Sequence, residues 1–227
     1  MKIDFVCPVK IDTYNRKVLL DQTINSLLRN TPKENINRII LIDDMSTYPL
    51  EYDGVTILRN SHQLGVGGSK NRGVAKHSIL GRGDALYIFD GDVYFCEGWS
   101  TEMIGAYYLY KEQFLIIAGG VHPFLQPREG EDNEHLTSHD AISGWSWLLG
   151  YDVWDKYGIL PDNAVGVGKS EDTAFCLKIR DDGYLVGCLK NQLIAHVGLT
   201  DSEGKDIVGR DISEILARHV APEAILL

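Results

Sequence analysis

Apolar residues in the first 120 positions come in short blocks, separated by polar stretches with helical spacing. KIDFVCPV is rich in Val, Ile and Phe and is closed by Pro8, which predicts a first strand. In VLLDQTINSLLRN, Leu20, Ile24, Leu27 and Leu28 fall at i, i+4, i+7 and i+8, one face of a helix. After the turn TPKEN, INRIILIDD predicts a second strand and VTILRN a shorter third. GGSKNRGVAKHSI reads as a helix after a glycine-rich loop, and DALYIFDGDVYF as a fourth strand. A helix over residues 101–111 and the strand QFLIIAGGV continue the alternation. Several of these strands are apolar without polar alternation, as in a mostly parallel sheet covered by helices on both faces. The expectation is a single α/β domain with a Rossmann-like sheet. In such sheets ligands bind beyond the carboxyl ends of the strands. Asp43, Asp44, Asp90 and Asp92 all fall at such ends.

The second half is less regular. His122 to Asp140 is polar, acidic and broken by Pro and Gly, which predicts a long surface loop able to close over a ligand. SGWSWLLGYDVWDKYG predicts strand, turn and short helix. SEDTAFCLKIRDDG predicts a helix capped by Ser170 and ended by Gly183. YLVGC and NQLIAHVG predict a closing pair of short strands, and Ile212, Ile215 and Leu216 mark a C-terminal helix.

Composition narrows the class without naming it. The chain has 227 residues, 44% hydrophobic and 24% charged, and no apolar run long enough to span a bilayer. The start MKIDFVCPVK lacks the apolar core of a signal peptide, so a cytoplasmic location is expected. Cys7, Cys96, Cys176 and Cys188 form no C-x-x-C pair and read as inert buried thiols. A net charge of −10 argues against a broad nucleic-acid footprint. An anionic ligand would need local donors or a bound cation to offset that field.

Several positions could supply such chemistry, each with a plainer alternative. Asp90-Gly91-Asp92 can direct two carboxylates at one Mg²⁺ or Mn²⁺; D-G is also a common turn. Of Asp43 and Asp44, one can receive a base N–H while the other caps the turn. Lys70, Asn71 and Arg72 at a helix start could hold an anion or form a solvated face. Glu171 and Asp172 open a helix, as a general base with its neighbour or as helix-dipole partners. His196, among apolar residues, is a ligand or a satisfied core histidine. Trp145 and Trp147 alternate, so on one strand they share a face, for a sugar ring or for the core.

The order of these pieces is more informative than any one of them. CPVKIDTYNRKVLLDQTINSLL, IDDMST, NSHQLGVGGSKNRGV, FDGDV, GWSWLLGYDVWDKYG, SEDTAFCLKI and AHVG together resemble the nucleotide-sugar-dependent glycosyltransferases of the GT-A fold. The likeness is greatest to the large inverting family 2-type enzymes, with a galactosyltransferase-like C-terminal half. It implies a GT-A domain over residues 1–200, with a nucleotide-binding half (1–99) and an acceptor-binding half (100–200). Residues 201–227 would be a C-terminal helical extension. By the resemblance, Pro8 and Arg16 border the nucleotide, Asp44 or Asp43 receives the base, and Lys70 stands where the family often has Arg. Asp90 and Asp92 would hold Mn²⁺ or Mg²⁺, with His196 as third ligand and Asp90 also touching ribose. Asp172 would be the catalytic base and Glu171 an acceptor contact. The implied reaction is metal-dependent transfer from a UDP-sugar to an acceptor hydroxyl with inversion. The acceptor class (saccharide, protein, small molecule or modified nucleobase) stays open. The alternatives are a nucleotidyltransferase of related fold and a noncatalytic nucleotide- or sugar-binding protein.

Overall fold

The computed structural model describes residues 1–120, 127–128, 130–158 and 171–197. The chain opens β1 (Ile3–Val9), α1 (Tyr14–Asn30), β2 (Ile36–Asp43), β3 (Val55–Arg59), α2 (Gly65–Leu80) and β4 (Ala85–Phe89). It continues β5 (Val93–Phe95), α3 (Trp99–Tyr110), β6 (Phe114–Ala118), β7 (Leu136–His139), β8 (Ser146–Leu149) and α4 (Tyr151–Tyr157). The last elements are α5 (Glu171–Asp181), β9 (Leu185–Leu189) and β10 (Ile194–His196).

Eight strands form one sheet in the order β3-β2-β1-β4-β8-β6-β9-β7. Neighbours β3, β2, β1 and β4 are parallel, as are β6 and β9, while β8 and β7 run against their neighbours. The sheet is buried on both faces because its strands carry apolar side chains both ways. Phe5, Cys7, Tyr87 and Phe89 pack with Leu20, Ile24 and Leu27 of α1 and with Trp99 and Met103 of α3. Val6, Ile88, Trp147 and Leu149 pack on the other side with Val74 of α2, Trp154 of α4 and Phe175 and Ile179 of α5. This is the α/β, mostly parallel architecture that the unbroken apolar strands predict.

The chain moves outward from β1 through β2 to β3, then returns over α2 to β4 on β1's other side. The carboxyl ends of β1 and β4 therefore flank a topological switch point, where open α/β sheets leave a crevice. Pro8, Val9 and Asp90 lie there, each at or just past a strand end.

Four expectations are corrected. DALYIFDGDVYF is two strands: the chain turns at residues 90–92, and β5 leaves the main sheet to pair antiparallel with β10. YLVGC and NQLIAHVG do not pair with each other, because β9 inserts between β6 and β7. The polar stretch from His122 to Asp140 contains β7, held to β9 through Leu136↔Leu189 and Thr137↔Cys188. The glycine-rich segment before Lys70 is the first turn of α2, which starts at Gly65. Gly183 ends α5 as expected, at φ +86°. Ser170, the boundary at residue 200 and the helix around Ile212–Leu216 lie outside the described residues. All four cysteines are buried and unpaired. Among the described residues no helix is long and apolar enough to cross a membrane.

Candidate active site

A cleft of about 470 Å³ opens at the switch point, lined by residues from three strand ends and the first turns of α1 and α2. Pro8, Arg16, Asp44, Asp90 and Asp92 all line it, joined by Lys10, Gln63, Val66 and Ser69. β1 ends at Pro8 and Val9, where a proline interrupts no interior ladder bond. Arg16 reaches back to the Lys10 carbonyl at 3.3 Å.

The two aspartates ending β2 have different work. Asp43 accepts from the Ser46 amide at 2.7 Å and pairs with Arg59 at 2.7 Å, so it fastens the turn. Asp44 lines the cleft, and its carboxylate accepts from the Leu64 amide (2.7 Å), the Gly65 amide (2.9 Å) and Asn60 Nδ2 (2.6 Å). A carboxylate offers about four lone-pair sites, so a further donor can still bind. Between Asp44 and Ser46, Met45 has φ 70°, a left-handed conformation unfavourable for a side chain with Cβ. Of the two, Asp43 thus takes the turn-capping place expected of one of them, and Asp44 is the one that lines the cleft.

The turn after β4 carries Asp90, Gly91 and Asp92. Gly91 has no positive φ but is closely packed: a Cβ there would lie 3.1 Å from Val9 Cγ1 and 3.3 Å from Leu20 Cδ1. Thr23 of α1 donates to the Gly91 carbonyl at 3.1 Å, fixing the turn from below. β10 then delivers His196. It pairs with Val93, and the Val197 amide donates to the Asp92 carbonyl at 2.8 Å. Its Nε2 lies 3.1 Å from Asp92 Oδ1.

Asp90, Asp92 and His196 each offer a ligand atom, all within 4.8 Å of one another. Two carboxylates and one imidazole suit Mn²⁺ or Mg²⁺ with further positions open to a ligand. Burial raises the pKa of Asp90 to about 6, above the usual carboxylate range; Lys70 opposes this and Asp92 adds to it. Burial pulls the His196 imidazole down, but Asp92 and then Asp90 outweigh it, so its pKa is raised. Asp90 and His196 thus hold a proton more tightly than usual.

The turn before β8 touches Asp90, His196, Asp172 and Lys70. The Gly144 amide donates to Asp172 Oδ2 at 2.9 Å, and the Gly144 carbonyl accepts from Lys70 Nζ at 3.2 Å. The next residue, Trp145, accepts from the Asp90 amide at 3.0 Å, and its indole stacks on the His196 ring at 5.4 Å and 18°. Glu171 and Asp172 open α5, with Lys70 Nζ 3.4 Å from Glu171 Oε1. Asp172 Oδ1 also accepts from the Thr173 amide at 2.7 Å.

Two predicted contacts are corrected here. Trp145 and Trp147 do not share a face, because β8 begins only at Ser146 and Trp145 belongs to the preceding turn. Trp147 is fully buried, stacks on Phe175 at 5.4 Å and is a core residue, not a sugar platform. Trp145 is buried and stacks one face of its indole on the His196 ring. Lys70 is 1% exposed and lies outside the cleft lining, on the α5 side of α2. Gly144 escaped the sequence reading. A glycine directly before an aromatic strand is the available signal, since it marks a close approach of backbone to other groups.

The family profile described as glycosyl transferase family 2 matches residues 9–123. The chain belongs to glycosyl transferase family 2. The match begins at the last residue of β1, runs through α1, β2, β3, α2, β4, β5, α3 and β6, and ends before the Gly144 turn. A comparison with curated proteins finds no match. Among solved structures, GalNAc-T7 with UDP, GalNAc and Mn²⁺ aligns at a TM-score of 0.68 and 13% identity, covering 87% of this chain and 44% of that one. S. aureus TarS 1-349 in complex with UDP-GlcNAc aligns at 0.59 and 16% identity, covering 99% and 69%. The mannosyltransferase PcManGT from Pyrobaculum calidifontis, in complex with GDP-Man and Mn²⁺, aligns at 0.55 and 13%, covering 82% and 56%. These likenesses show the GT-A glycosyltransferase fold. The family 2 chain described here spans about half the length of the first structures it matches.

Proposed function

We propose that this family 2 protein transfers a sugar from a nucleotide-sugar donor, a UDP-sugar, to an acceptor hydroxyl with inversion and with support from Mn²⁺ or Mg²⁺. The observation that carries the reading is the convergence of Asp90, Asp92 and His196 at one edge of the switch-point cleft. Two of the similar structures hold UDP or a UDP-sugar and one holds GDP-Man, so the fold accepts either base and the donor assignment is made here for UDP. In the proposed complex the base lies over Pro8 and Val9, with the free lone pair of Asp44 accepting a base N–H. Arg16 and Lys10 face the phosphates, and Asp90 reaches the ribose.

Asp90, Asp92 and His196 would hold the divalent cation, which when bound neutralises charge on the diphosphate. Asp172 accepts the acceptor hydroxyl's proton on the carboxylate that Gly144 and Thr173 orient. The acceptor oxygen forms its bond to the anomeric carbon as the bond to the diphosphate oxygen breaks. That electron pair leaves with UDP, and a single displacement inverts configuration. Glu171 contacts the acceptor. The test is UDP release from a panel of UDP-sugars with Mn²⁺, with product stereochemistry read by NMR. Release requiring both metal and acceptor supports the reading. Release of pyrophosphate from a nucleoside triphosphate would replace it with nucleotidyl transfer.

A further inference from the structure

A lysine ammonium is seldom buried, since removal from water costs several kcal/mol unless partners replace the lost hydration. Lys70 is buried to 1% exposure, and its polar partners among the described residues are the Gly144 carbonyl at 3.2 Å and Glu171 Oε1 at 3.4 Å. Its Nζ also lies 5.6 Å from the Trp147 ring centroid, over the indole face. An apolar side chain of similar length would fill the same space at less cost. The ammonium is therefore better explained by the charges around it than by packing.

Those charges belong to the reaction centre. Lys70 pairs with Glu171 directly and offsets the burial of Asp90. Through Gly144 it meets Asp172: one peptide residue accepts from Lys70 with its carbonyl and donates to Asp172 with its amide. The fit at this point is close. A Cβ on Gly144 would stand 2.9 Å from Lys70 Nζ and 3.1 Å from Asp172 Cβ. The two hydrogen bonds use the separate peptide groups on either side of the Gly144 Cα, so together they hold that one residue between Lys70 and Asp172.

We propose that Lys70, acting through Gly144 and Glu171, is a positioning residue that fixes the Glu171–Asp172 pair against the cleft, and is not a contact to the donor's phosphates. The proposal rests on the reading of Asp172 as the base. It moves Lys70 from the nucleotide half of the site to the acceptor half. It also gives the buried ammonium a second consequence, a fixed positive charge among Asp90, Glu171 and Asp172 that limits their mutual repulsion.

The test compares wild-type protein with Lys70→Met and Lys70→Arg in two measurements. One is calorimetric titration with UDP in the presence of Mn²⁺; the other is turnover of a nucleotide-sugar panel. The expected result is UDP affinity within about twofold of wild type in Lys70→Met, with turnover at least tenfold lower and largely recovered in Lys70→Arg. A tenfold or greater loss of UDP affinity would show that the ammonium touches the diphosphate and would overturn the proposal. So would unchanged turnover. If Lys70→Met does not fold, Gly144→Ala serves in the same pair of measurements, since its Cβ displaces both Lys70 and Asp172. Asp172→Asn separates the two readings. Full turnover in that variant removes the base assignment, whereas an inactive Asp172→Asn beside a UDP-weakened Lys70→Met removes only the positioning role.

Discussion

His196 Nε2 lies 3.1 Å from Asp92 Oδ1 although 104 positions separate the two residues in the chain. The small β5–β10 ladder makes this contact, since pairing His196 with Val93 leaves the imidazole beside the residue before β5. Neither residue is drawn there by the apolar core. A ladder of three residue pairs that ends in a carboxylate–imidazole pair at a cleft is more readily explained by a ligand than by stability.

Removing His196 should therefore weaken metal binding more than it weakens the fold. In His196→Ala, Mn²⁺ affinity should fall at least about tenfold, the low end of what losing a ligand's supporting group costs. Thermal unfolding without metal should be nearly unchanged. Calorimetry with Mn²⁺ and UDP, beside a thermal melt, reads both.

Asp172→Asn should abolish transfer and leave UDP binding within about twofold, because the amide keeps the shape but cannot take a proton. Turnover and UDP titration on the same preparation check the split. Asn can still accept from the Gly144 amide through its carbonyl, so the α5 start should keep its place.

Trp147→Ala should cost about 3–5 kcal/mol of stability, the usual range for truncating a large buried aromatic side chain. UDP affinity in the folded protein should not change. Denaturant unfolding and titration together distinguish this core role from a sugar-binding one.

Acid stability should depend on Asp4, which is fully buried at the far end of β1. Burial raises its pKa, but His77, the Gly83 amide, Tyr151 and Asn37 outweigh burial and lower it to about 2. The folded value lies below the unfolded one, so the stabilisation is complete above about pH 4 and is lost as pH falls toward 2. The shift corresponds to about 2 kcal/mol. Wild type should therefore exceed Asp4→Asn in urea stability at pH 6, with the gap narrowing below pH 4. A gap independent of pH would contradict this account.

The sheet was legible because its strands are apolar on both sides and its helices carry clear i, i+4, i+7 spacing, as in Leu20, Ile24 and Leu27. Asp44, Asp90 and Asp92 were legible because carboxylates at strand ends gain nothing from the core. The placement of Lys70 was not. Its neighbours in sequence suggest a solvated helix start, while its depth depends on where α2 begins and on the Gly144 turn, a long-range contact. The Trp145–Trp147 pairing failed for a local reason: alternation applies only within a strand, and β8 starts one residue too late. The sequence marks Asp90-Gly91 as a common turn dipeptide, whereas the space around Gly91 is set by Val9 and Leu20 from other elements.

The proposed function depends on Asp90, Asp92 and His196 binding a divalent cation that holds a nucleotide in the switch-point cleft. Calorimetric titration with UDP and with GDP, each with and without Mn²⁺, on wild type and Asp92→Ala, tests it most directly. UDP binding should require Mn²⁺ and be lost in a folded Asp92→Ala. UDP binding of equal strength without the metal, or no binding of either nucleotide by folded wild-type protein, would contradict it.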